Sequence, residues 1–288
     1  MMKIRMRLLV LLLVVMAAAA IVVMAQQDDE DVRGAFMTTR PKASETRNKP
    51  ARKVTHRRPK ATPSPSPGPV GGGGSTSTEP RKALPRMGLG LTLFMRDSTG
   101  LAVRTDPTRE FHKGDHVRVL LETNTDGYLY IFNTTNGGPS VMIYPDPSLD
   151  EAGNYIQAHV PFEIPSSTAD EERLRWFTFD QNAGAEKLYF VFSREPLYGV
   201  PIEDDLISFC RENKAKCPWH PAVESWAALE KELSEPVKVT RGRMEGAQTA
   251  SENRGIGLNR DDPEPSLIML SASTSKNILV ATLDLVNK

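Results

Sequence analysis

Between Gly114 and Tyr144 the chain alternates in a way that only extended backbone explains. Val117, Val119, Leu121 and Thr123 share one parity, and Arg118, Leu120 and Glu122 the other, the period of two that a pleated strand imposes. Asp126-Gly127 follows, a strong hairpin signal because tight turns need the positive φ that glycine adopts without a Cβ clash. Tyr128 to Asn133 reads as the return strand. It places Tyr128, Tyr130 and Phe132 on one face and Leu129 and Ile131 on the other, so the strand is expected at the centre of a sheet. Asn136-Gly137-Gly138 turns the chain again into Val141 to Tyr144. The stretch therefore predicts a three-strand antiparallel meander whose aromatic face is core. The competing use of that face is as a stacking platform for sugar or peptide.

The rest of the chain sorts by composition. Lys3, Arg5 and Arg7 precede an uncharged run from Leu8 to Ala25, with Val23 and Ala25 at positions suited to cleavage before Gln26. Residues 1–25 thus read as a secretory signal peptide, or as an uncleaved anchor in the inner membrane through residues 8–25. Residues 33–86 carry 13 Lys and Arg against two acids, Glu45 and Glu79, whereas from residue 87 onward 20 bases face 30 acids. The zero net charge of the whole chain hides a basic segment joined to an acidic domain. Residues 26–86 are rich in Pro, Ser, Thr and Gly and lack apolar periodicity, so they are expected to be a disordered tether. Its basic cluster Arg52, Lys53, His56, Arg57, Arg58 and Lys60 suits a solvated linker or contact with an anionic surface. Export disfavours a nucleic-acid partner.

Residues 87–288 are expected to form one mainly β, antiparallel sandwich-like domain. Leu89, Leu91, Leu93 and Met95 alternate before the turn Asp97 to Gly100, predicting a hairpin with Leu101 to Arg104. Gly88-Leu89-Gly90 precedes a strand and lacks the third glycine of a dinucleotide loop, so it is not read as one. Tyr155-Ile156 and Phe162 to Ile164 are short and flanked by proline, as edge strands are. Trp176 to Phe179 and Leu188 to Phe192, around Asn182-Ala183-Gly184, predict a further hairpin. A two-helix insertion is expected over 201–235: Ile202, Leu206, Phe209 and Cys210 on one stripe, then Ala222, Val223, Trp226, Leu229 and Leu233 on a second. Residues 240–265 read as a long loop, and Leu267 to Leu270 and Ile278 to Val286 as closing strands.

An ordered set of short motifs then resembles one bacterial family. Phe111, Gly114-Asp115, Val117-Arg118-Val119, Asp126 to Phe132, Tyr144-Pro145, Asn154-Tyr155-Ile156, Ile164-Pro165, Phe177-Thr178-Phe179, Gly184 to Leu188 and Ser193 to Leu197 are similar to the domain of unknown function 4384. The similarity spans about 110–200. It implies a compact β-sandwich-like module, an accessory to varied signalling or envelope proteins, with no catalytic residue to carry over.

Candidate chemistry is sparse. Cys210 and Cys217 are the only cysteines, and in an oxidising compartment the pair is expected to form a disulfide. Adding His220 with Glu212 or Glu224 would make a zinc set, though the spacing matches no common knuckle. Asp146, Ser148 and Asp150 alternate as in a calcium loop, but Glu151 stands where the turn needs glycine. His112, His116, His159 and His220 lie in no nucleophile context, and Asp146, Glu163 and Glu186 supply no unique glycosidase pair. No catalytic, cofactor or metal residue is therefore assigned. The expected function is an exported, non-enzymatic binding or scaffolding module at or near the bacterial envelope, periplasmic or secreted. Its expected partner is an envelope protein or polymer met through the β domain. The alternative is an envelope hydrolase acting on glycan or peptide.

Overall fold

The computed structural model describes residues 31–46, 56–58, 84–147, 153–233, 236–247 and 257–288. The proposed signal or anchor segment 1–25 lies outside them. Among the described residues no helix is long and apolar enough to cross a membrane.

Two sheets pack face to face. The first holds β1 (Gly88–Arg96), β2 (Ala102–Arg104), β4 (His116–Thr123), β8 (Phe162–Ile164), β9 (Phe177–Thr178), β11 (Val237–Arg241), β12 (Gly246–Ala247) and β13 (Leu267–Ser271). The second holds β3 (Glu110–Phe111), β5 (Gly127–Thr135), β6 (Val141–Tyr144), β7 (Tyr155–Ile156), β10 (Gly184–Ser193) and β14 (Ile278–Asn287). The mainly β, sandwich-like class read from the sequence is the observed one. Inward positions of the alternating strands meet in one core: Leu89, Leu91, Leu93, Val119 and Leu121 from the first sheet, and Leu129, Ile131, Phe190, Phe192 and Leu283 from the second. Burying these side chains is the main favourable term for a domain of this size.

The expected meander is corrected. β4 pairs with β1, β8 and β9, whereas β5 pairs with β10, β6 and β7, so the chain crosses between sheets at Asn124 to Asp126. Only β5 and β6 form the expected hairpin. Two amphipathic strands joined by a reversal can lie edge to edge or stack face to face, and local alternation does not choose between these. Gly127 is not a positive-φ turn residue. A Cβ there would sit 2.5 Å from the Ser193 carbonyl oxygen and 2.6 Å from the Phe192 ring, so glycine is required by the close approach of β10. Asp126 accepts from the Ala158 N–H at 2.8 Å and the Tyr155 hydroxyl at 3.1 Å, which pins the crossover. The expected hairpin of 176–179 with 188–192 is corrected in the same sense, since β9 pairs with β4 and β10 lies between β5 and β14. β11 and β12 arise within or beside the stretch read as loop, and β13 and β14 close different sheets.

Each outer face has its own cover. Over the second sheet lie α3 (Glu203–Glu212) and α4 (Val223–Leu233). Tyr128, Tyr130, Phe132, Tyr189 and Val191 pack under Leu206, Trp226 and Leu229. The α4 stripe is narrower than its sequence suggests: Val223 is 80% exposed, and Trp226 makes the contact, its ring 4.8 Å from Tyr189 and 5.5 Å from Phe132.

Over the first sheet lies a segment expected to be structureless. Residues 31–37 form helix α1, followed by α2 (Ala43–Thr46). Val32 and Phe36, four apart and hence on one helix face, are buried against Ile268 and Leu270. Gly88 and Gly90, on the outer face of β1, form the trough that receives them: an added Cβ would meet Phe36 at 2.6 Å from position 88 and Pro265 at 2.4 Å from position 90. The reading of 26–86 as a disordered tether is therefore wrong for 31–46. It is also wrong for 56–58, where the Tyr155 N–H donates to the His56 carbonyl at 2.7 Å and the His56 ring packs edge-on to Phe162 at 4.8 Å. The tether's last residues, 84–86, are also held to the body, with the Arg86 guanidinium donating to the Ser271 carbonyl at 2.6 Å, and the remaining tether residues lie outside the described ones.

Candidate functional site

The site is built where the N-terminal segment meets the edge of the first sheet. Arg33 comes from α1, Arg104 from the end of β2, Arg241 from the end of β11, and Gly242, Arg243 and Glu245 from the turn into β12. Pro263 and Glu264 close the wall, and together these residues line a cleft of about 470 Å³. The β2–β12 pairing, with Gly246 opposite Arg104, holds the two sides together.

Four guanidinium groups face two carboxylates there. Arg33 pairs with Glu264 at 3.2 Å. Arg104 donates to the Arg243 carbonyl at 3.3 Å and the Ser266 hydroxyl at 3.4 Å, both neutral acceptors. Burial first, then the charges of Arg243 and Arg40, hold the Arg104 guanidinium below its ordinary pKa. Like charges are thus gathered in a partly desolvated place, an arrangement that disfavours the cation and favours an incoming anion.

Behind the wall stands a buried polar network. Arg40 is 1% exposed and grips Glu122 with both ends of its fork, Nε to Oε1 at 2.8 Å and Nη2 to Oε2 at 2.6 Å. It also donates to the carbonyls of Asn259, Asp262 and Pro263, tying the helical segment to the loop that forms one side of the cleft. His159 Nδ1 lies 2.7 Å from Glu122 Oε1, and its backbone is held at φ 59°. Burial works to raise the pKa of Glu122, but the hydrogen bonds and charges of Arg40 and His159 outweigh it and hold the carboxyl below its ordinary value. The network positions the loop and offers no exposed nucleophile.

The residues singled out from sequence lie elsewhere. Cys210, in the last turn of α3, and Cys217, in the connection to α4, are joined to each other, with Cα atoms 5.1 Å apart. The zinc alternative is thereby excluded in this state, since the thiolates it needs are consumed in the bond and the His220 ring sits 3.1 Å from the Ser140 carbonyl. Among the described residues no cluster of three or more His, Cys, Asp or Glu could hold a metal ion. Of the calcium set, Asp146 is described, while Ser148 and Asp150 lie outside. Glu163 is on β8 of one sheet, bonded by Ser167 and 3.7 Å from Arg118, whereas Glu186 is on β10 of the other, accepting from Asn133 and Thr135 at 2.9 Å. They do not converge. His116 meets the Thr178 hydroxyl at 2.9 Å.

Sequence reasoning passed over the arginines of the cleft. Arg33 belongs to the stretch whose composition reads as tether, and Arg241-Gly242-Arg243 to the start of one that reads as loop. The local signal was the Arg-Gly-Arg triplet, but nothing in the sequence brings it to residues 33 and 104.

Fold and site together define the class: a two-sheet, mostly antiparallel sandwich with a helical cover and a basic cleft at one edge. Within it, residues 110–196 match the family described as Domain of unknown function (DUF4384), the family the sequence motifs resemble. No curated protein and no solved structure matches the chain. Every described residue lining the cleft falls outside 110–196. The cleft is built by what this chain adds around the matched module.

Proposed function

We propose that this protein is an exported, non-catalytic binding or scaffolding module held at or near the bacterial envelope. The observation that carries the reading is how the aromatic strand is used. Tyr128, Tyr130 and Phe132 are at most 2% exposed beneath the helical insertion, so the one aromatic platform in the sequence is core and the polar surface is left for recognition. Of the carboxylates considered for a hydrolase, Glu163 and Glu186 are held by structural partners on opposite sheets, Glu186 by Asn133 and Glu163 by Arg118. Export is supported by the character of residues 1–25 and by the Cys210–Cys217 bond, which persists in oxidising compartments. The partner is an envelope protein or polymer. The basic cluster that would touch an anionic surface is partly folded back, Arg57 pairing with Asp204 at 3.0 Å.

The test is fractionation of the full chain in a bacterial host with mass spectrometry without reductant. Recovery in the envelope or periplasmic fraction, two hydrogens lighter than the thiol form, together with a crosslinked envelope partner, is the expected result. Cytosolic protein with two free thiols overturns it.

A further inference from the structure

Three features stand apart from the fold's own needs: the buried Arg40–Glu122–His159 network, the Tyr128–Tyr155 ring pair beside residues 56–58, and the arginine cleft. The first two are closed over by side chains already described. The third is open and unbalanced. We propose that the cleft lined by Arg33, Arg104, Arg241 and Arg243 binds a small ligand bearing two or more oxyanion charges.

The argument starts from charge. Four guanidinium groups among the described residues, against Glu245 and Glu264, leave an excess of two positive charges, which a dianion neutralises. Among the described residues, Arg104, Arg241 and Arg243 make no ion pair, although the charge of Arg241 also reaches Asp106 at the cleft's margin. Guanidinium groups in water tolerate such company because solvent screens them. In a cleft with low-dielectric walls the repulsion is stronger, and an anion placed among them removes it.

Shape agrees with charge. About 470 Å³ falls within the size of small-molecule sites and is too small for a folded partner to enter. The planar fork of arginine matches the paired oxygens of carboxylate and phosphate, which a lysine cannot do. Three of the four arginines stand at strand ends or the tight turn between them, so their spacing is set by backbone pairing. The fourth, Arg33, is delivered by α1, whose docking depends on Phe36 and Arg40. Glu264 neutralises Arg33 and so tempers the site. Phosphate and carboxylate share the chemistry that this arrangement recognises.

This deepens the reading of the domain as a binding module by giving it a ligand class. Calorimetric titration of the full chain at low salt with inorganic pyrophosphate, and in parallel with citrate, tests it. Saturable binding at one site is expected, weakened about ten-fold or more by Arg104→Gln and by Arg243→Gln, each of which removes a charge-assisted hydrogen bond. Glu264→Gln should act in the opposite direction and tighten binding several-fold, a result that a merely misfolded variant cannot produce. Binding of pyrophosphate alone assigns a phosphorylated ligand, and binding of citrate alone or of both assigns a site for oxyanions that accepts carboxylate. Failure of both anions to saturate, or unchanged affinity in both arginine variants, overturns the proposal. Capture of an envelope partner through another surface would leave the binding-module reading standing in that event.

Discussion

The two outer faces of the sandwich solve the same problem by opposite chemistry. Over the second sheet, large aromatic side chains project outward and two helices settle onto them, Trp226 lying against both Tyr189 and Phe132. Over the first sheet the strand instead withdraws, Gly88 and Gly90 leaving a trough that Phe36 and Pro265 fill. The first arrangement needs little beyond apolar area. The second places a charged pair, Arg40 and Glu122, where water does not reach, with side chains 0% and 3% exposed. A buried ion pair is a poor source of net stability, because desolvating both partners offsets their attraction, but it is intolerant of losing one member. Face two is therefore glued by area, and face one is keyed by a specific partner.

The largest expected effects come from emptying each cover in turn. Tyr130→Ala leaves a cavity in a fully buried strand and orphans the Leu197 N–H that its hydroxyl accepts at 3.0 Å, for a cost of about 3 to 5 kcal/mol. Arg40→Ala strands Glu122 and costs about as much, roughly 3 to 5 kcal/mol. Thermal melts and limited proteolysis separate the two. Tyr130→Ala should lower the melt of the whole domain, whereas Arg40→Ala should first expose 31–46 to protease while 84–288 stays resistant. One shared transition in Arg40→Ala, with no early cleavage, would make the N-terminal segment part of a single cooperative unit and dissolve the contrast.

A smaller pair of effects compares two glycines. At position 127 an added methyl meets a backbone carbonyl on β10, and at position 90 it meets the ring of Pro265. Strand backbone fixed by sheet pairing cannot yield as a surface loop can, so Gly127→Ala should cost about 3 kcal/mol and Gly90→Ala about 1 kcal/mol. Chemical denaturation measures both. The reverse order would mean that the trough is the more rigid of the two.

The smallest effect is a response to acid. Glu122 titrates below its ordinary value of 4.5 in the folded protein, so its contribution is fully present above that value and is lost as pH falls through the lower, folded pKa. Protection of 31–46 from protease should accordingly hold to about pH 4.5 and decline below it, with the aromatic cover unaffected in the same range. A Glu122→Gln chain should lack that acid-dependent step. If instead protection is lost near neutral pH, a different group controls the docking.

Alternation at 117–123 and 128–132, the doubly apolar character of β5 and β10, the edge nature of β7 and β8, and the two helices between Pro201 and Leu233 were legible because each is a local pattern. The pairing of those strands was not. Asp126-Gly127 reads identically whether the next strand turns back beside β4 or crosses to the opposite sheet, and the partner that decides, β1 against β4 and β10 against β5, lies tens of residues away. The same holds for 31–37: four apolar residues, Val32, Ala35, Phe36 and Met37, are too few to announce a helix in a polar stretch. They become informative once Gly88 and Gly90 are seen on one face of a strand.

What the sequence by itself determined is therefore most of the strands, the two helices of the insertion, the class of fold, the family resemblance and the pairing chemistry open to two cysteines, since all depend on neighbours within a few positions. Only the tertiary structure decided which sheet each strand joined, that the N-terminal segment is part of the body, and that Arg33, Arg104, Arg241 and Arg243 share one cleft. Those outcomes depend on contacts across tens of residues and, where Thr38 of the N-terminal segment meets Arg260, across 222, and the free energy that selects among them comes from burying complete faces together, a quantity no single stretch of chain contains.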